Sequence, residues 1–304
     1  MNKKQVTLTL VASLAISIAG IGVHHAPGSV QSAQSPDLAK DTTIFVAGDV
    51  MLARSVNAQI QAHHDPNWPF IYVHSVVSGA DLAIGNLETP LIANCPVTRE
   101  GMIFCGGAAN ASGLAYAGFD VLSLANNHTA NYGPTGLAET EAALTRYGVG
   151  YFGTGSAVFR EVHGVRFALL GYNDVTRQVD EGEIAAEVTA ARAQADVVIV
   201  YFHWGQEYKV VHNARQAELA HLVVDAGADI VLGAHPHVVE DHEVYRGKPI
   251  YYSLGNFVFD QEWSPATKEG LALELTFHGT HLSGVKEIPV FLENYGQVSI
   301  NDIL

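Results

Sequence analysis

Positive charge is scarce in this chain. Lys and Arg number 16 against 31 Asp and Glu in 304 residues, a formal net charge of −15 with His neutral. That deficit disfavours sequence-independent binding to nucleic acid or to an anionic membrane surface. Cysteine is rarer still, and two residues cannot build a disulfide scaffold or a Cys-rich zinc site. Residues 42–304 contain no internal repeat, low-complexity tract, Walker loop, GxGxxG or GxSxG, so nucleotide-binding and serine-hydrolase readings lose their usual anchors. Apolar residues, in contrast, make up 48% of the chain, enough for one large domain or two modest ones. Histidine is abundant, with 15 residues, and is the residue type to follow.

The amino end differs from all that follows. A short basic start, Met1-Asn2-Lys3-Lys4-Gln5, precedes the uncharged run Val6–Val23, the layout of an export signal. The run is close to the ~20 apolar residues that span a bilayer, and Gln31-Ser32-Ala33-Gln34 offers a small-residue stretch for signal peptidase. Residues 1–23 are therefore expected to be a signal peptide or an N-terminal membrane anchor. Residues 24–41 lack periodicity and contain Pro27, Gly28 and Pro36, which predicts a linker before a folded domain over 42–304. The expected location is exported, periplasmic or on the extracytoplasmic face of the cell membrane, held there by the N-terminal segment if it is uncleaved. Export would place Cys95 and Cys105, ten residues apart, in an oxidising compartment, where a local disulfide is expected to close the loop between them.

From Thr42 onward short apolar runs alternate with amphipathic stretches, an α/β pattern. Strands are predicted at 44–47, 82–84, 121–124, 167–170, 197–202 and 230–232, and helices at 70–77, 112–117, 136–147, 182–195 and 213–226. After Val239, Val244-Tyr245 and Ile250–Ser253 flank Arg246-Gly247-Lys248-Pro249 and predict a hairpin. Alternation over 271–277 and 285–291 predicts closing antiparallel strands, hence a mixed sheet.

The apolar runs end in polar residues: Asp49, Asn86, Glu88, Asn127, His128, His203, His235 and His237. In an open α/β sheet, groups beyond the carboxyl ends of the strands converge on one crevice. Two carboxylates, an amide oxygen and three imidazoles there form a site for a hard-to-borderline cation such as Mn, Zn, Fe or Mg, with no thiolate required. His235 and His237 would point apart on an extended segment unless the backbone bends at Pro236. Their spacing suits two adjacent ions better than one.

Six motifs in order resemble the bacterial capsule synthesis protein CapA family: Gly48-Asp49-Val50-Met51, Gly85-Asn86-Leu87-Glu88-Thr89-Pro90-Leu91, Leu124-Ala125-Asn126-Asn127-His128, His203-Trp204-Gly205, Gly233-Ala234-His235-Pro236-His237 and Ser253-Leu254-Gly255-Asn256-Phe257. The likeness runs from about Thr42 to about Asp260. It implies an exported or membrane-tethered protein of poly-γ-glutamate capsule assembly, with a fold similar to the calcineurin-like metallophosphoesterases, a four-layer α/β/β/α sandwich with mixed sheets. It also implies partners among capsule synthesis or export membrane proteins, an anionic polymer or phosphoester as substrate, and no nucleic acid.

Carried over from that superfamily, one divalent ion falls to Asp49, Glu88 and His237 and a second to Glu88, Asn127, His203 and His235. His128 becomes the general acid facing the leaving group, Asn86 a residue that orients Glu88 or contacts substrate, and Trp204 a wall of the pocket. One departure weakens the first ion's set. The superfamily usually has His two residues after the first Asp, and Met51 stands there. Two-metal phosphoester hydrolysis and single-metal attack on an amide or ester carbonyl both stay open, as do a phosphoesterase unrelated to capsule and a non-catalytic assembly subunit.

Overall fold

A computed structural model describes residues 40–300. The expected signal or anchor and almost all of the expected linker lie outside the described residues. The chain enters the fold on β1 (Asp41–Val50), continues through α1 (Arg54–His63), a 3-10 turn at Trp68–Phe70 and α2 (His74–Val77), and returns on β2 (Leu82–Leu87). Short strands β3 (Leu91–Ile92) and β4 (Gly106–Gly107) pair across the Cys95–Cys105 loop, and α3 (Ala111–Ala117), β5 (Val121–Ser123), α4 (Gly133–Arg146) and β6 (Gly150–Phe152) follow. A second sheet is then built from β7 (Val158–Val162), β8 (Val165–Asn173), α5 (Glu181–Arg192), β9 (Val197–His203), α6 (Ala214–Ala226), β10 (Ile230–Ala234), β11 (His242–Tyr245) and β12 (Lys248–Tyr251). The chain closes on the first sheet with β13 (Asn256–Val258), α7 (Pro265–Lys268), β14 (Glu269–His278), β15 (His281–Glu293) and β16 (Gln297–Ile300).

The first sheet has the order β16-β15-β14-β1-β2-β5-β6, with β13 also pairing with β1; the second runs β11-β12-β10-β9-β8-β7. Both are mixed: β1, β2, β5 and β6 are mutually parallel while β14 joins β1 antiparallel, and β8, β9, β10 and β12 are parallel between antiparallel β7 and β11. Side chains of a strand alternate between faces, and here each face meets a different apolar layer. Ile44 and Val46 face the second sheet, as do Leu82 and Ile84, whereas Phe45, Ala47 and Ala83 pack under α1, α3 and α4. On β9, Val197, Ile199 and Tyr201 point into the space between the sheets, and Val198, Val200 and Phe202 lie under α5 and α6. Strands covered on both faces are continuous apolar runs in sequence, which is why they could be located there. Three apolar layers separate four layers of structure, the α/β/β/α sandwich that the resemblance implies.

Each predicted strand is present, and the hairpin turns at Arg246 and Gly247, whose φ values of 50° and 78° are the left-handed pair that a two-residue turn requires. The helix expected at 70–77 is instead a 3-10 turn and a four-residue helix. α1 went unpredicted because Arg54–His63 carries few apolar residues; Val56, Ala58 and Ile60 suffice to bury one side. Asn213 caps α6 reciprocally with Gln216. Among the described residues no helix is long and apolar enough to cross a membrane.

The same Gln216 donates to buried Glu240 (Nε2 to Oε2, 2.7 Å), whose other oxygen has no hydrogen-bond partner among the described residues. Burial pushes the Glu240 carboxyl up to about 7 from an ordinary 4.5. A raised folded-state pKa means that the folded protein holds this proton more tightly than the unfolded chain. The cost of ionising it is absent below the unfolded value and complete above the folded one, so stability falls as pH rises from 4.5 through about 7. Glu240→Gln should match wild type at about pH 4, below the unfolded value, and exceed it by about 1–2 kcal/mol at pH 8, allowing for residual solvent screening. Denaturant unfolding at the two pH values measures the difference.

Candidate metal centre

The carboxyl ends of β1, β2, β5, β9 and β10 come together at one mouth between the two sheets, and all eight polar tips lie there or at its edge. Asp49 ends β1. The strand is crossed so closely by the chain entering β13 that a Cβ on Gly48 would lie 2.1 Å from the Gly255 carbonyl oxygen, and the Asp49 amide donates to that same oxygen at 3.0 Å. Only glycine at 48 permits this contact. Asp49 is fully buried, and its carboxylate accepts from the Asn86 amide at 2.8 Å and the His235 backbone N–H at 3.1 Å, with His237 Nδ1 at 3.3 Å. Burial opposes its ionisation, but the hydrogen bond and charge of His237, with the field of His203, outweigh it and hold the carboxyl well below the usual range.

Glu88 is the opposite case. It is also fully buried, neither of its oxygens has a hydrogen-bond partner among the described residues, and its Oε1 faces His128 Nε2 at 3.6 Å and the Nε2 atoms of His203 and His237 at 3.9 Å each. Burial, reinforced by the charge on Asp49, drives its carboxyl well above the ordinary range. Burial also holds His203 well below its ordinary range, with the neighbouring His235 adding to the effect, and holds His235 down to about 4. At neutral pH these imidazoles are neutral and present lone pairs, the form in which His binds metal. His235 Nδ1 is buried too, with no hydrogen-bond partner among the described residues. An orphaned carboxylate among neutral imidazoles fits a divalent cation by donor type and by the positive charge it would add.

The Pro236 bend occurs. His235 and His237 have φ of 98° and 59°, left-handed values unusual for non-glycine residues, and their ring centroids are 5.9 Å apart within one crevice instead of on opposite faces. Ligand-type atoms of Asp49, Glu88 and His237 lie within 4.8 Å of one another. His237 Nδ1 is 3.1 Å from Asn256 Oδ1, and the Asn256 amide nitrogen is committed to the Thr267 carbonyl at 2.9 Å. Nδ1–H is therefore the donor, and Nε2 keeps its lone pair toward Glu88. His203 Nε2 meets Asn127 Oδ1 at 2.9 Å.

His128 sits at the edge, 6% exposed, its ring stacked on Phe104 with centroids 4.2 Å apart and its Nδ1 3.2 Å from Asn131 Oδ1. That same Asn131 oxygen accepts from the Phe104 backbone N–H at 3.1 Å. Asn86 is bound differently from the expectation: its amide donates to Asp49, not to Glu88, and its oxygen accepts from Asn126 at 3.1 Å. Trp204 is no pocket wall. Strand alternation sends His203 into the mouth and Trp204 to the opposite face, fully buried against Phe202 and donating to the Tyr252 carbonyl at 2.8 Å.

Three residues at the mouth escaped the sequence reasoning. Asn126 accepts from the backbone amides of His128 and Thr129 and donates to Asn86 and the Leu87 carbonyl, so it fixes the turn that carries Asn127 and His128. Its only sequence signal is adjacency to that pair. Arg54 pairs with Asp260 at 2.6 Å and lies over the Phe104 and Phe259 rings. Glu207, half-buried, lies near His235 and His237. It stands four residues after His203, on a loop that carries no periodic pattern.

Residues 43–261 match the family model described as "Bacterial capsule synthesis protein PGA_cap". The chain is 31% identical over 287 residues to "Capsule biosynthesis protein CapA" of Bacillus anthracis, covering 85% of this chain and 69% of that one. It is 34% identical over 240 residues to "PGA biosynthesis protein CapA" of Bacillus subtilis (strain 168), covering 71% and 63%. The chain thus spans about two thirds of the length of these relatives. Among solved structures, a hypothetical protein from Thermus thermophilus superposes with a TM-score of 0.54 at 18% identity, over 82% of this chain and 98% of that one, a likeness of fold.

The disulfide between Cys95 and Cys105, with Cα atoms 5.8 Å apart, ties the loop that delivers Phe104 to His128. Replacing both cysteines by Ser should cost about 3 kcal/mol from the freed loop, read in denaturant melts, while leaving bound metal unchanged because no cysteine faces the carboxylates.

Proposed function

The chain belongs to the bacterial capsule synthesis protein family PGA_cap, and we propose that it serves assembly of a capsule polymer, poly-γ-glutamate or a related anionic chain, from the extracytoplasmic side of the cell membrane, through a metal-dependent hydrolase site. Its partners on this reading are the membrane proteins of capsule synthesis or export. The observation that carries the site is Glu88, a fully buried carboxylate without a hydrogen-bond partner among the described residues, facing Asp49 and three imidazoles.

Asp49, Glu88, Asn127, His203, His235 and His237 are the residues that would hold one or two divalent ions. A bound cation there supplies Lewis acidity, polarising a phosphoryl or carbonyl oxygen and lowering the pKa of water. The chain's own groups do the rest. Asn86 and the His235 amide fix the Asp49 carboxylate, and Asn256 fixes the His237 tautomer. Asn131 and the Phe104 ring hold His128 with Nε2 turned toward Glu88. Burial keeps His128 below its ordinary pKa, and an anionic substrate seated beside it would draw a proton onto Nε2, ready for the departing oxygen or nitrogen.

Elemental analysis of the purified protein should find transition metal that is lost in His203→Ala with His235→Ala while the fold, by circular dichroism, persists. His128→Ala should retain the metal and lower turnover by about 10²–10⁴-fold in a screen over phosphoesters and γ-glutamyl amides. Metal-free wild type, or loss of metal in His128→Ala, would contradict this assignment. Metal retention without turnover on either substrate class would leave an assembly subunit.

A further inference from the structure

Building on the metal-site reading above, we propose that Glu207 is a metal ligand: its carboxylate joins His235 and His237 in a second donor face, supplying the ligand that Met51 does not. One carboxylate oxygen of Glu207 and one ring nitrogen each of His235 and His237 lie within 4.8 Å of one another. This group shares only His237 with the Asp49, Glu88 and His237 set. His237 Nδ1 is committed to Asn256, so its single lone pair, on Nε2, can serve only one ion at a time, and Glu207 and His235 are the donors that this group adds to the first set.

Glu207 is held in place by the backbone on either side. Gly205 turns the chain out of β9 with φ of 85°, where the Gln216 amide lies 2.8 Å from the position of a Cβ, so glycine alone fits the turn. Tyr208, with φ of 62°, donates its backbone N–H at 2.8 Å to the carbonyl of Pro236, the residue between the two histidines. The loop carrying Glu207 is thereby hydrogen-bonded to the bend carrying His235 and His237. An independent feature points to a ligand at this place: His235 is 5% exposed, and its Nδ1 is buried with no hydrogen-bond partner among the described residues. The carboxylate and the unpartnered imidazole belong to one small cluster.

Met51 explains the need. Its side chain is fully buried in the apolar layer beneath the helices, with its sulfur facing the Ala53 amide at 3.1 Å. A thioether is a poor donor to hard or borderline cations, so the β1 side of the mouth offers Asp49 alone. A carboxylate arriving from the β9 loop restores a donor and adds negative charge, giving Asp49, Glu88 and Glu207 against the charge of two divalent ions.

Metal titrations of the full chain with Mn²⁺ and Zn²⁺ against a chromophoric chelator test this, together with absorption spectra of the Co²⁺-loaded protein. Glu207→Gln, which is isosteric, should weaken one ion at least about tenfold, because loss even of an outer partner of a metal ligand costs 10–100-fold. The Co²⁺ ligand-field bands should change in the same variant, Glu207→Asp should recover part of the affinity, and the exposed control Glu218→Gln should match wild type. Wild type that binds metal alongside Glu207→Gln with unchanged affinity, stoichiometry and Co²⁺ spectrum would overturn the role of Glu207 and leave the metal centre standing. Wild type that binds no metal would overturn both.

Discussion

Two carboxylates, Asp49 and Glu88, are fully buried at the mouth between the sheets, and among the described residues the only ion-pair partners of either are histidines. Burying one carboxylate without a paired charge costs several kcal/mol, and two side by side repel. The protein meets this unequally. Asp49 accepts from Asn86 and the His235 amide and stays ionised; Glu88 receives no hydrogen bond among the described residues and is driven toward its protonated form. An added cation would reverse the second result, and the imidazoles of His128, His203 and His237 face the Glu88 carboxylate.

The fold makes that concentration of polar groups possible by keeping it at strand ends. β1 from Ile44 to Ala47 and β9 from Val197 to Phe202 are apolar on both faces, so the apolar layers run up to the strand ends and the polar groups meet just beyond them. Backbone in unusual conformations is placed at the same mouth: positive φ at His235, His237 and Tyr208, and the close crossing of Gly48 with Gly255. Such conformations cost of order 1–3 kcal/mol each and persist where the surroundings enforce them. The Cys95–Cys105 loop extends this outward, since it carries Phe104 against His128.

Much of this could be read from the residues. Continuous apolar runs ending in Asp49, His203 or His235 announce strands covered on both faces, and their polar tips announce a shared crevice. What could not be read depends on contacts between segments distant in sequence. Asn86 binds Asp49 and not Glu88 because of how β1 and β2 register, with Asp49 opposite Asn86. Trp204 follows the strand's alternation into the core beneath α6, although its place beside His203 suggests a pocket wall. Glu207 sits on an irregular loop whose position is set by a backbone bond from Tyr208 to Pro236, for which the sequence carries no local pattern. α1 is similar: three apolar side chains commit it to the core, too few to announce a helix.

The most direct test of the central claim is anomalous diffraction, recorded at the metal edge, from crystals of this protein grown with Mn²⁺. The account predicts anomalous density inside the ring formed by Asp49, Glu88, His203, His235 and His237, within bonding distance of Glu88. Crystals with no peak there, and with Glu88 hydrogen-bonded to protein groups or turned out to solvent, would contradict it.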